Sequence, residues 1–219
     1  FPSEVISLPS RGWFYDSSKE PETPNVVPLQ MAATNILGLD MVELIPNIST
    51  KISKLPAHLK KYVAIATHST SGLKYWNNPN GWSDVVKFLK ENGYDVIHET
   101  TNLEGVIQLQ DTSIENTMNY IHHSKFFIGL SSGLSWLSWA MRKHVVMISN
   151  FTEENHEFRI NCDRIINKDV CHGCWNNPLF KFDKGRWEWC PEHEGTERQW
   201  ECHKQITSEM VIEVIKNLI

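Results

Sequence analysis

The chain lacks any apolar run approaching the roughly 18 residues that a membrane-spanning helix requires, so no membrane span is expected. It shows no secretory leader. It opens on Phe1 rather than Met, as expected of a fragment or a processed product. Basic side chains are in the minority: 21 Lys and Arg stand against 26 Asp and Glu, a net charge of −5 with a pI near 6.1. That balance argues against a nucleic-acid partner held by a broad basic surface, though it leaves room for a local basic pocket that takes a phosphorylated small molecule. There is no internal repeat and no low-complexity tract. Neither the Gly-x-Gly-x-x-Gly fingerprint nor a Walker A loop occurs.

What is present is an ordinary globular composition, 41% hydrophobic and 21% charged over 219 residues. That length suits one α/β domain with an appendage. Nine Trp is a high count, and core packing is the expected use of most of them. Residues 1–28 carry five prolines, Pro2, Pro9, Pro21, Pro24 and Pro28, a density expected of a wrapping arm or linker. Residues 29–39 read as a short helix, 41–45 as a short strand and 49–61 as a polar connection. A regular alternation follows. Strands are predicted over 62–67, 94–98, 125–130 and 144–149. Helices are predicted over 82–92 (with Ser83 and Asp84 as capping candidates), 113–123 with Ser113 as N-cap, 134–142 and 207–219. Strands alternating with helices imply right-handed crossovers and a parallel, Rossmann-like sheet.

The cysteines carry the strongest motif. Cys171, Cys174, Cys190 and Cys202 follow the pattern Cys-x2-Cys-x15-Cys-x11-Cys. A CxxC turn lets two thiolates leave one tight bend and meet one ion, and a later pair closes a tetrahedron of sulfur suited to zinc or iron. The surrounding segment, rich in Trp, His and charge, could not easily bury a core alone. The competing readings are two disulfides, which would suit a secreted protein, or reduced buried thiols. Thiolate ligands point instead to a reducing compartment. Cys162 lies outside the pattern and reads as a buried thiol. His172, His193 and His203 share the segment, where outer or surface roles are expected because four thiolates already suffice.

Ligands of open parallel sheets bind beyond the carboxyl ends of the strands, and three loops leave such ends here. The first carries His68, Ser69, Thr70, Ser71, Gly72, Leu73 and Lys74, whose hydroxyls and ammonium suit phosphate oxygens; a solvated polar loop is the bland alternative. The second, Ser131-Ser132-Gly133-Leu134, runs from a strand into a helix, so that backbone N–H groups and a helix N-terminus face an anion. Centred on Ser132 it is not a nucleophile elbow, and no adjacent His–Asp pair argues for a hydrolase. The third, residues 151–158, offers Glu153, Glu154 and Glu157, either to sugar hydroxyls or as a solvated helix turn.

Taken together, the segments HSTSGLKYWNNPNGW, GLSSGLSWLSWA, SNFTEENHEF and CHGCWNNPLFKF with WEWCPEHEGTERQWEC resemble, in this order, the bacterial autotransporter heptosyltransferases, a branch of the heptosyltransferase family of GT-B glycosyltransferases. The resemblance runs from about residue 29 to the end. The cysteine segment is its most specific part.

The resemblance implies the C-terminal half of a two-domain GT-B fold. Residues 1–48 would be a remnant of the acceptor domain with its linker, 49–166 the nucleotide-sugar domain, and 167–219 the four-cysteine segment with a closing helix. It implies transfer of a sugar, expected to be heptose, from ADP-heptose or a related nucleotide sugar to an autotransporter adhesin or a glycan. Lys74 would contact the donor phosphates and stabilise the leaving group, with Ser69, Thr70 and Ser71 beside it and Ser131, Ser132, Gly133 and Leu134 cradling the pyrophosphate. Cys171, Cys174, Cys190 and Cys202 would hold a structural iron ion (Fe3+), with zinc as the alternative. The wider family usually places an Asp in the turn that Ser131 and Ser132 occupy here. Nothing matches the family's N-terminal catalytic segment, so the general base is expected outside this chain. A bacterial cytoplasmic location and a possible homo-oligomer complete the expectations. The runner-up is a non-catalytic, metal-stabilised nucleotide-sugar-binding or assembly module. A third reading is a zinc-ribbon-like interaction domain joined to an unrelated Rossmann domain.

Overall fold

A computed structural model describes residues 28–219 apart from 37, 38, 41, 55–58, 60, 99, 100, 178 and 181–187. Helix α1 (Leu29–Ile36) precedes an irregular stretch and then an alternation of β1 (Tyr62–Ile65), α2 (Gly81–Glu91), β2 (Asp95–His98), β3 (Ile107–Gln108), α3 (Ile114–His123), β4 (Phe127–Leu130), α4 (Gly133–Ala140), β5 (Val145–Ile148) and β6 (Cys162–Ile165). The cysteine segment contains α5 (Glu201–Lys204), and α6 (Ser208–Lys216) ends the fold.

The six strands form one sheet in the order β3-β2-β1-β4-β5-β6, and every pairing is parallel. The expected parallel α/β sheet is therefore observed. Every residue of β1, β4 and β5 is buried, as strands covered on both faces require. Alternation along the strands sorts their side chains between two layers. Val63, Ile65, Ile128 and Val146 pack on one side with Val85 and Leu89 of α2 and Val211 and Ile215 of α6. Ala64, Phe127, Val145 and Met147 pack on the other with Ile121 of α3 and Trp139 of α4. Trp139 stacks on Phe158, centroids 4.7 Å apart.

Local chemistry fixes the helix ends. Helix α2 buries Trp82, Val85, Val86 and Leu89 at helical spacing and stops at Gly93, whose φ of 79° lies in the left-handed region. There Gly93 N–H donates to Lys90 O and Tyr94 N–H to Leu89 O, the paired bonds of a glycine C-cap. Ser113 caps α3 by accepting from Asn116 N–H, as expected. The caps expected at Ser83 and Asp84 are not used. Asn80 occupies the N-cap position of α2, Ser83 Oγ donates back to Asn80 O, and Asp84 accepts from Ser208 Oγ at 2.9 Å, joining α2 to α6.

Two strands were not foreseen, β3 and β6, and the strand expected over 41–45 is absent among the described residues 42–45. The side chain of Gln30 takes both backbone groups of Leu44, as acceptor from its N–H at 2.9 Å and as donor to its carbonyl at 2.5 Å. Those bonds replace a strand ladder. The arm expected over residues 1–28 lies outside the described residues up to 27.

Candidate functional site

The sheet order puts a topological switch between β1 and β4: β1, β2 and β3 succeed one another toward one edge, β4, β5 and β6 toward the other. Loops diverge at such a point and leave a crevice at the carboxyl ends of the strands. The two loops singled out for an anion, after β1 and after β4, are the two that flank it. The residues named in them, more than 50 positions apart in sequence, thus belong to adjacent strand ends.

After β4 the chain turns at Ser131 and Ser132 into α4. Ser132 is the N-cap residue, and its hydroxyl makes no capping bond. A Cβ added at Gly133 would meet nothing within 4 Å, so the turn opens onto space. Behind it, at Gly129, a Cβ would collide with the Phe127 ring and Ser135 Oγ. Ser135 Oγ donates to Leu130 O at 2.6 Å and seats the helix on its strand. Centred on Ser131, the run Gly129 to Gly133 does spell Gly-x-Ser-x-Gly, which a reading centred on Ser132 passes over. Ser131 is nonetheless no nucleophile: its hydroxyl donates to the Glu157 carboxylate, and among the described residues no imidazole is bonded to it.

After β1, Ser71 is buried, Ser69 half-buried and Thr70 exposed. The Ser69 carbonyl accepts from Tyr75 Oη at 3.0 Å. Lys74 ends a 3-10 turn, Gly72–Lys74, its N–H donating to Ser71 O. Among the described residues no hydrogen bond or ion pair holds Lys74 Nζ. Burial pushes the Lys74 ammonium below the ordinary lysine range, and the Glu157 carboxylate pulls the other way.

In the third loop, after β5, Glu154 is exposed and Glu153 half-buried, as a solvated turn allows, while Glu157 departs from both readings offered for it. Glu157 is neither solvated nor free for a sugar: it is 2% exposed and fully engaged. It pairs with the Arg164 guanidinium of β6 and accepts from Ser131 Oγ and from Thr152 Oγ1 at 2.9 and 3.2 Å. Arg164 also donates to the Thr152 carbonyl at 3.0 Å and to Ser149 O at 3.3 Å. Burial alone would raise the Glu157 carboxyl; Arg164, His156 and the hydrogen bonds outweigh it and hold the group below its ordinary range. Arg164 belongs to the unforeseen strand β6, and no short motif marks it. An Arg two residues from a lone Cys inside an apolar-flanked stretch is the one available signal.

The cysteine segment docks on this loop. Gly173, inside the CxxC turn with φ of 64°, donates from its N–H to Asn150 O at 2.8 Å. Trp175 N–H donates to Phe151 O, and Glu153 N–H to Asn176 Oδ1. Leu73, Phe151 and Trp189 form a buried cluster against which Cys174, Trp175 and Phe180 pack. All five cysteines are free thiols, so the two disulfides weighed above are not formed.

The donor set fits a metal ion. Burial pushes the Cys171 thiol up to about 11 and Cys174 to about 12, and raises Cys202; the neighbouring cysteines add to each shift. A cation would relieve that mutual repulsion, but the four sulfurs do not form one ligand group among the described residues. Among the described residues one group of ligand atoms lies within 4.8 Å of one another: Cys171, His193 and Glu201. His193 is buried, and its Nε2 has no hydrogen-bond partner. His193 and His203 are both buried, contrary to a surface role; His172 is half-buried, with Nδ1 2.8 Å from Val170 O. Cys162, half-buried at the start of β6, is pushed up to about 12 by burial, as suits an inert thiol.

No family model matches the chain. It is 36% identical to the autotransporter heptosyltransferase Aah of Escherichia coli over 93% of this chain and 54% of that protein. It is 38% identical to the autotransporter heptosyltransferase TibC of E. coli O78:H11 over 93% of this chain and 52% of that protein. The chain is a relative of the autotransporter heptosyltransferases. It spans about half the length of the curated relatives it matches. The crystal structure of TibC, an iron-containing dodecameric glycosyltransferase, superposes with a TM-score of 0.87 at 36% identity over 94% of this chain and 59% of that one. TibC in complex with ADP-D-β-D-heptose superposes at 0.84, also at 36% identity, over 93% of this chain and 56% of that one. A further relative, 32% identical over 91% of this chain and 49% of its own length, is the inactive autotransporter heptosyltransferase BimC of Burkholderia thailandensis.

Proposed function

We propose that this chain is the donor-binding half of a heptosyltransferase that moves a heptose from ADP-heptose to an autotransporter adhesin or glycan. The observation that carries the reading is the pairing, at one switch crevice, of an unpartnered, partly buried Lys74 with an open strand-to-helix turn at Ser131–Gly133. Similarity to a protein solved with ADP-D-β-D-heptose supports the choice of ligand. Residues 49–166 would supply the donor site, 167–219 the metal segment and 1–48 the side facing the acceptor domain.

In this mechanism the acceptor hydroxyl attacks the anomeric carbon and the bond to the ADP oxygen breaks. Negative charge grows on the pyrophosphate. Lys74 and the free N–H groups at the start of α4 meet that charge without having to reorganise, in a site walled by the sheet. Ser69, Thr70, Ser71, Ser132 and Leu134 line the approach. The proton of the attacking hydroxyl goes to a base supplied by the acceptor side.

Cys171, Cys174, Cys190 and Cys202 would hold an iron ion, with zinc as the alternative donor-compatible metal. Four thiolates leave no open position, so the ion would supply stability to the segment. His193 and Glu201, next to Cys171, would serve as outer groups. By analogy with dodecameric TibC the protein would act as a homo-oligomer, and a bacterial cytoplasmic location belongs to the same proposal.

Calorimetric titration of ADP and ADP-heptose, with Lys74→Ala as control, tests the reading. Binding that the substitution weakens strongly supports it, and no binding to metal-loaded, folded protein overturns it. A second reading, donor binding without turnover, is favoured by the existence of an inactive relative. A turnover assay with ADP-heptose and an adhesin acceptor separates the two.

A further inference from the structure

Glu157 is sealed from solvent, yet it is bonded to the end of β4, to the loop after β5 and to β6. Its carboxylate accepts from Ser131 Oγ at the end of β4 and from Thr152 Oγ1 in the loop after β5, and it is anchored to Arg164 on β6. Both charged side chains are nearly sealed, 1% and 6% exposed for Glu157 and Arg164. A buried carboxylate is stable only when its lone pairs are taken up by donors, and here three residues take them up. The consequence falls on Ser131. With its hydroxyl committed inward, Ser131 offers the crevice only its backbone, and the backbone of Ser132 and Gly133 follows from its orientation.

We propose that Glu157 is a positioning residue of the donor site: anchored by Arg164, it holds the Ser131 hydroxyl and thereby aims the Ser131–Gly133 turn at the donor diphosphate. The inference rests on the reading of this crevice as the donor site. It assigns the binding contribution of Ser131 to the clamp with Glu157, in place of a contact between its hydroxyl and the ligand. The same carboxylate acts on Lys74 through its charge, with His156 and Arg164 the other charged or titratable groups around it and the Cys162 thiol beyond them. Its negative charge favours the ammonium form of Lys74 against burial.

A double-mutant cycle with ADP as probe tests the proposal in the metal-loaded protein. Ser131→Ala is expected to weaken ADP by about tenfold, the scale of one lost positioning bond. Adenosine, which lacks the diphosphate, should bind as before, and Ser131→Thr should restore ADP affinity. Glu157→Gln should weaken ADP at least as much and move the alkaline loss of binding to lower pH. The Ser131→Ala, Glu157→Gln double variant should then lose less than the sum of the two single losses, because both changes act on one link: glutamine keeps an acceptor oxygen but not the charge that strengthens the bond. If Glu157→Gln does not fold, Glu157→Asp, which keeps the charge but withdraws it by one methylene, takes its place in the cycle. Additive losses, or equal losses of ADP and adenosine, overturn the clamp while leaving the donor site in place. Single variants that bind ADP within twofold of wild type do the same, provided Lys74→Ala still weakens binding strongly. Wild-type protein that binds no ADP overturns the donor-site reading and the clamp together.

Discussion

Leu73, the neighbour of Lys74, shares a buried apolar cluster with Trp189, the neighbour of Cys190. The contact joins the proposed phosphate-binding lysine to the cysteine segment through side chains that are 4% and 6% exposed. Backbone bonds from Gly173 to Asn150 and from Trp175 to Phe151 run in parallel with it. Whatever orders the cysteine segment therefore also orders the floor of the crevice.

If the cysteine segment holds a metal as proposed, chelation should weaken ADP binding through this shared cluster. A loss of about tenfold, restored by adding the metal back, is the expected calorimetric result, corresponding to about 1.4 kcal/mol of lost preorganisation. Leu73→Ala should reproduce part of that loss with the metal still bound, and should lower stability to chemical denaturant by about 2–5 kcal/mol, as truncation of a buried leucine does. ADP affinity indifferent to both changes would show that the cluster holds the segment without influencing the site.

Lys74 supplies a pH dependence of definite sign. Its ammonium is lowered by burial and partly restored by Glu157. If the protonated form binds ADP, as proposed, affinity should hold at neutral pH and fall as pH rises, with a midpoint below the 10.5 of an ordinary lysine. Lys74→Ala should abolish that limb and leave a weak, pH-independent residue of binding. Lys74→Arg keeps the charge beyond the same range and should move the limb out of reach. An ADP affinity that is flat to the ordinary lysine range in wild type would place the ammonium elsewhere.

Most of the architecture was legible because its signals are local. Runs such as 62–67 and 125–130 are apolar on both faces, and helix 82–92 carries its period and its terminal glycine together. β3 escaped because two exposed residues hold no pattern, and β6 because it carries Cys162 and Arg164, both half-buried, where a strand pattern would show apolar residues. The two anion loops could be read from their residue types. That they flank one crevice could not, since only the order β1-β4 brings them together. Glu157 was visible as a residue and misjudged as an environment: a carboxylate among Glu153, Glu154 and Asn155 reads as solvated until Arg164 is placed beneath it.

His98 should give the fold an acid-sensitive step. Its Nε2 accepts the Thr67 backbone N–H at 2.9 Å, and burial, with the nearby His68 ring, lowers its pKa from 6.5 to about 4. The unfolded chain takes up a proton near pH 6.5 and the folded one does not. The stability held above that pH is thus lost as pH falls from about 6.5 toward 4, by at most about 3 kcal/mol at about 1.4 kcal/mol per unit. Denaturation midpoints measured between pH 7 and 4.5 should show the slope. His98→Gln, which does not titrate, should flatten it.

The metal's donor set can be decided by colour and by substitution. Two sets compete around Cys171: the four sulfurs of the spaced cysteines, and the Cys171–His193–Glu201 trio whose ligand atoms lie within 4.8 Å. Four thiolates on ferric iron absorb in the visible and give a reddish protein, whereas a zinc site is colourless. If the four thiolates hold the ion, Cys174→Ser and Cys202→Ser each remove one of its bonds. The metal content of the purified protein should then fall well below one per chain, with the visible bands lost or shifted. His193→Ala and Glu201→Gln would leave the bands in place, because they touch only groups around the site. If the trio holds the ion, the pattern inverts: His193→Ala strips the metal and Cys202→Ser spares it. The buried Nε2 of His193, without a hydrogen-bond partner and 3.7 Å from Glu201 Oε1, makes this control necessary. A nitrogen in that position serves equally as a ligand or as an N–H donor to a metal-bound sulfur, and only the second role survives when the bands persist in His193→Ala.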